Sequence, residues 1–91
     1  MDISFTKKGD VYVSEFKADG PFALHLEMKS VGHLVVRQTS VEGAAYAPVT
    51  DMALTDQYEP VVDRQFIGEV WPIWIQVETG AKPTMGVVTF A

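Results

Sequence analysis

The chain contains no cysteine. That absence removes disulfides and thiolate nucleophiles, and it leaves any zinc site without its usual sulfur ligands. Basic residues are scarce: seven Lys and Arg stand against twelve Asp and Glu, a formal net charge of −5. Such a surface repels a phosphate backbone, and no basic patch interleaved with aromatics offsets it, so nucleic acid is not an expected partner. Lys7-Lys8, the longest basic run, sits beside Gly9-Asp10 and reads as a turn. No window approaches the roughly 18 apolar residues of a membrane span. The opening MDISFTKKGD is acidic and polar where a secretory leader needs a basic start and an apolar run. It predicts synthesis and assembly in a cytoplasm, and a start at Met1 with no tag or linker reads as a complete small gene product.

What remains must fold by hydrophobic burial alone. The 91 residues make one expected domain, 1–91, of which 47% are hydrophobic. A chain of this size buries only about 60–65% of its unfolded surface. Small domains without staples often complete that burial by oligomerising.

Period two dominates the pattern. In PFALHLEMK, Phe22, Leu24, Leu26 and Met28 fall on one face and Ala23, His25, Glu27 and Lys29 on the other, a strand with one wet face. Asp19-Gly20-Pro21 before it is turn chemistry, with Gly supplying positive φ. Ile3 and Phe5 alternate with Ser4 and Thr6, and KKGD then turns into Val11–Phe16, a predicted hairpin. HLVVRQTSV is rich in β-branched residues and apolar on parts of both faces. In AAYAPVTDMALTDQYEP, Pro48 and Pro60 forbid a central strand, while Met52 and Leu54 allow a short edge strand or a helical turn from Thr50. VVDRQFIGEV, WPIWIQVETG and TMGVVTF complete the set. No window sustains a helical period. The count predicts an all-β fold: a small antiparallel β-sandwich, jelly-roll or immunoglobulin-like, of about seven or eight short strands. A small barrel is the alternative.

Catalytic patterns are missing. Ser4, Ser14, Ser30 and Ser40 lie in strands or ordinary turns, and none sits in the glycine-rich elbow that strains a nucleophile outward. His25 and His33, the only histidines, bracket one turn, and a hairpin there would let them approach to bind a metal or relay a proton. No carboxylate with ligand-like spacing accompanies them. Asp51, Asp56, Glu59 and Asp63 form the densest acidic stretch, but their spacing is irregular and lacks the central glycine of a calcium loop. TGAKP falls short of a phosphate-cradling loop and reads as a hairpin connection. The expectation is no enzyme, no metal and no cofactor.

The stretch EVWPIWIQVETG holds both tryptophans, three residues apart. On a strand they point to opposite faces. Ile73, Ile75 and Val77 place Trp71 inward, so Pro72, Trp74, Gln76 and Glu78 face out and a large aromatic stands among polar neighbours. Its own chain, a protein interface or a sugar ring can cover such an indole.

The C-terminal FIGEVWPIWIQVETGAKPTMGVVTF resembles the last strands of small β-sandwich structural proteins from tailed bacteriophages and prophages. The likeness covers Pro72 to Val77, Gly80 to Pro83 and Met85 to Phe90: an aromatic-flanked strand, a short polar hairpin, a proline and an apolar last strand. It implies a virion accessory role in capsid decoration, a fibre or a tail, performed as a homo-oligomer with other virion proteins. The expected function is therefore a non-enzymatic assembly module with Trp74 as an anchor. A small carbohydrate-binding domain that uses Trp74 on a sheet face is the alternative.

Overall fold

The computed structural model describes residues 1–29, 32–49, 60–68 and 70–91. Among them run eight strands and no helix: β1 (Thr6–Lys8), β2 (Val11–Ala18), β3 (Phe22–Glu27), β4 (Leu34–Thr39), β5 (Ala47–Pro48), β6 (Val61–Phe66), β7 (Ile73–Thr79) and β8 (Met85–Phe90). They form two antiparallel sheets, a large one ordered β1-β2-β7-β4-β5 and a small one ordered β6-β3-β8. The molecule is a small antiparallel β-sandwich.

The core follows from alternation on the two central strands. On β3 the even residues Phe22, Leu24 and Leu26 are buried and the odd residues Ala23, His25 and Glu27 are half-buried. On β7 the order reverses, with Ile75, Val77 and Thr79 buried and Trp74, Gln76 and Glu78 half-buried. Neighbouring strands extend each row: Val77 lies between Ser14 and Val36, and Leu24 between Arg64 and Val88. Leu24, Leu26, Leu34, Val36, Ile75 and Val77 all have no exposed surface. Each contributes about 1.5–3 kcal/mol through its burial.

Two turns obey local chemistry. Lys8 pairs with Val11, so β1 and β2 are joined by the two-residue loop Gly9-Asp10. Gly9 adopts φ +64°, the positive value that tight hairpin turns require at their first central position. Gly43 does the same at φ +80° in the loop before β5. Gly20 does not, so the turn before β3 uses another geometry than the sequence suggested.

Other expectations are corrected. Ile3 and Phe5 are not part of the hairpin with β2; they pack against the core while Met1–Ile3 runs beside β8, with Ile3 N–H bonded to Gly86 O and Val88 N–H to Met1 O. The chain then crosses to the large sheet as β1. A side chain at Gly86 would meet Ile3 and Phe5 at 3.1 Å, which is why the smallest residue stands there. TGAKP is not a hairpin connection, because β7 and β8 belong to different sheets and the loop arches between them. Among the described strands, only the β1–β2 and β4–β5 connections join neighbours in one sheet. Pro48 lies on the edge strand β5, where its missing donor harms no ladder. The predicted element at Met52 and Leu54 lies outside the described residues.

Leu24→Ala is expected to cost about 2–5 kcal/mol, the range for emptying a filled core site. Urea unfolding measures it, and a loss below about 1 kcal/mol would contradict the packing described.

Candidate functional site

Three features draw attention: the outer face of the large sheet, the outer face of the small sheet, and one end of the sandwich.

Trp74 lies on the outer face of the large sheet with Lys17 and Thr39 as its cross-strand neighbours. The Lys17 ammonium stands 5.9 Å from the indole centroid, a cation–π distance, and also approaches Asp19 at 3.4 Å. The indole is half-buried. Below it the polar side chains bond to one another. Gln76 donates to Glu15 Oε2 at 2.8 Å and accepts from Arg37 Nη1 at 3.2 Å. Arg37 Nη1 also donates to Glu78 Oε1 at 3.1 Å, and His33 Nε2 donates to Glu78 Oε2 at 2.6 Å. Both Glu78 oxygens thus accept from cationic or polar donors. The hydrogen bond from His33, then those of Arg37, hold the carboxyl below its ordinary value. Val13 and Val35, which flank Glu78 in register, are buried on this same face. Tyr46 is half-buried, and burial followed by the Glu15 charge pushes its phenol up. Pro72 is exposed, just outside β7 and after a cis peptide.

The two histidines do not meet across a turn as the sequence allowed, since β3 and β4 lie in different sheets. Each instead has carboxylate partners that sequence spacing did not reveal. His25 sits on the outer face of the small sheet, with Nδ1 2.9 Å from Asp63 Oδ2 and Nε2 2.8 Å from Glu27 Oε2. Only the protonated ring donates at both nitrogens. Glu27 first, and then Asp63, raise the His25 pKa above 6.5. Asp63 pairs with His25 because they are register partners on β6 and β3. Asp51, Asp56 and Glu59 lie outside the described residues. No group of three His, Cys, Asp or Glu able to hold a metal ion occurs among the described residues. Neither histidine lines the grooves described below, so these clusters are open hydrogen-bonded surfaces.

The third feature is apolar. At one end of the sandwich Phe22 is the hub of an aromatic cluster: Phe66 stacks on it at 4.7 Å, Phe16 meets it edge-on at 5.5 Å, and Trp71 and Phe90 stand at 6.3 and 6.2 Å. Trp71 therefore lies against the core, and its Nε1 donates to Gly68 O at 3.0 Å. The surface around this cluster is apolar. Ile67 is 83% exposed, Val70 66% and Phe90 41%. An open groove of about 550 Å³ runs past Ile67, Val70 and Trp71 to Gln38 and Ser40. A smaller one of about 270 Å³ joins Ile67 to Phe90 and Pro21. The sequence reading missed this surface because it carried the strand through VVDRQFIGEV, whereas β6 ends at Phe66. The available signal was FIGEV itself, whose Ile67 and Val70 flank a loop glycine where turn-forming polar residues are usual.

Comparison with protein-family models, with curated proteins and with solved structures gives no match for this chain.

The two carboxylate clusters act on stability in opposite directions with pH. Glu78 has a lowered folded pKa, so its contribution is present above about 4.5 and is lost as pH falls through the folded value. His25 has a raised folded pKa, so its contribution is complete below 6.5 and is lost as pH rises through the folded value. Urea midpoints measured against pH are expected to flatten on the acid side in Glu78→Gln and on the alkaline side in His25→Asn. Unchanged slopes in either variant would refute the corresponding assignment.

Proposed function

We propose that this chain is a non-enzymatic assembly module, a β-sandwich that works by burying an apolar end against protein, its own copies first. The observation that carries this reading is the gathering of exposed Ile67, Val70 and Phe90 around the Phe22 cluster. Large exposed apolar patches, beyond the few hundred Å² common on monomers, mark interaction surfaces. Removing such side chains from water contributes about 25 cal/mol per Å² of apolar surface. A short chain with a limited core gains much from that.

Among the described residues no buried side-chain nitrogen or oxygen lacks a partner. The setting we propose is a virion accessory protein of a tailed phage or prophage, on the resemblance of Pro72 to Val77, Gly80 to Pro83 and Met85 to Phe90 to that class.

The sugar-binding reading rests on Trp74. The groups that would bond sugar hydroxyls beside it, Gln76, Glu15 and Glu78, are already bonded to one another or to Arg37 and His33. A sugar would have to break that network, and assembly is favoured for this reason.

Sedimentation velocity on the pure protein is expected to show a stable oligomer at roughly micromolar concentration. The double variant Ile67→Asp, Val70→Asp should keep its β-sheet circular dichroism and sediment as a smaller species. A wild-type chain that stays monomeric throughout would contradict self-assembly.

A further inference from the structure

We propose that two copies of the chain join edge to edge through β6, antiparallel and centred on Arg64, so that the two small sheets become one continuous six-stranded sheet (twice the three strands of one copy). This rests on the assembly reading above and, of its apolar end, engages Ile67.

Among the described residues, the edge of β6 that carries no partner follows from the phase of the hydrogen bonds. Met28 N–H bonds to Pro60 O, and β3 and β6 pair antiparallel from Glu27↔Val61 to Phe22↔Phe66. In an antiparallel ladder the hydrogen-bonded positions alternate. Val62, Arg64 and Phe66 therefore direct their backbone groups toward β3, and Val61, Asp63 and Gln65 direct theirs away from it. No described residue receives them. The opposite edge of the small sheet is closed, because Met1–Ile3 bonds along β8. The large sheet ends in short strands, Thr6–Lys8 with two lysines and Ala47–Pro48 with a proline, both protective devices. β6 is longer, with six residues and neither lysine nor proline; its charges are Asp63 on the outer face and Arg64 on the inner one, the latter the feature of this edge that opposes pairing.

Self-pairing has a preferred register. Cross-strand partners share a face, so two-fold pairing centres either on Arg64 or on a neighbouring position. Centred on Arg64, Asp63 stands opposite the partner's Gln65, whose amide can donate to the carboxylate. Inside, Val62 meets the partner's Phe66. Outside, Val61, which is 55% exposed, lines up with the partner's Ile67, which is 83% exposed, and symmetry repeats the pair. Centred on Asp63, the strand would oppose two carboxylates and set Val61 against an amide. The Arg64 register opposes two arginines, its one unfavourable pair. Asp63 and Gln65 with their mates exchange about four backbone hydrogen bonds, two per hydrogen-bonded pair.

Hydrogen exchange on the full chain at two concentrations tests this. In the oligomer the amides of Asp63 and Gln65 should exchange slowly and become fast on dilution, while those of Val62, Arg64 and Phe66 stay slow in both. Gln65→Pro removes only an outward N–H and should weaken association by roughly tenfold or more while preserving the fold. Val61→Lys, which sets a charge against the partner's Ile67, should do the same. An oligomer whose Asp63 and Gln65 amides remain fast, or exchange at a rate independent of concentration, overturns the β6 edge but leaves assembly standing. A chain that never associates overturns both.

Discussion

Everything in this molecule depends on two facing rows of aliphatic side chains. Leu24 and Leu26 of β3 and Ile75 and Val77 of β7 belong to one core and expose nothing to water. Each strand is the middle of its sheet and sets the register of its neighbours. Because side chains alternate with period two, fixing the inner row also fixes the outer one. Burying Ile75 and Val77 obliges Trp74, Gln76 and Glu78 to share the opposite face. Burying Leu24 and Leu26 sets His25 beside Asp63. Neither outer cluster was assembled independently of the core.

The limits of the core explain the rest of the surface. Two small facing sheets leave ends and edges that must be satisfied otherwise. One edge is closed by Met1–Ile3, and Gly86 is the residue that admits Ile3 and Phe5 there. One end is filled by Phe22, Phe66, Phe90 and Trp71, yet Ile67 and Val70 lie beyond what those rings cover. The polar faces pair part of their charge internally, through His25 with its two carboxylates and Glu78 with His33 and Arg37. On the proposed assembly reading, the apolar end and the β6 edge are the parts of the described surface that would meet a partner.

How much of this was legible in the sequence differs from element to element. Alternation in PFALHLEMK and WPIWIQV identified β3, β7 and the separate directions of the two tryptophans, because period two is a local signal. The connections were not legible. TGAKP looks like any polar hairpin, and only the destination of β8 in the other sheet makes it an arch. The pairing of His25 with Asp63, 38 residues apart, is set by strand register across the sheet, which no spacing rule contains. The same holds for His33 and Glu78, 45 residues apart. Ile67 and Val70 were hidden for another reason: an apolar loop reads as strand until the ladder is seen to stop at Phe66.

The central claim is that assembly extends the small sheet through β6. A chain without cysteine permits a direct distance measurement on Thr89→Cys, an exposed position on the outer face of β8. Five strand spacings and a two-residue offset separate this site from its mate in the Arg64-centred register, about 25 Å between backbones. Dipolar spectroscopy on the spin-labelled protein should therefore give one narrow distance near that value, allowing for the label's linkers. No dipolar coupling at concentrations where the protein should associate, or a distance far beyond 25 Å, would contradict the account.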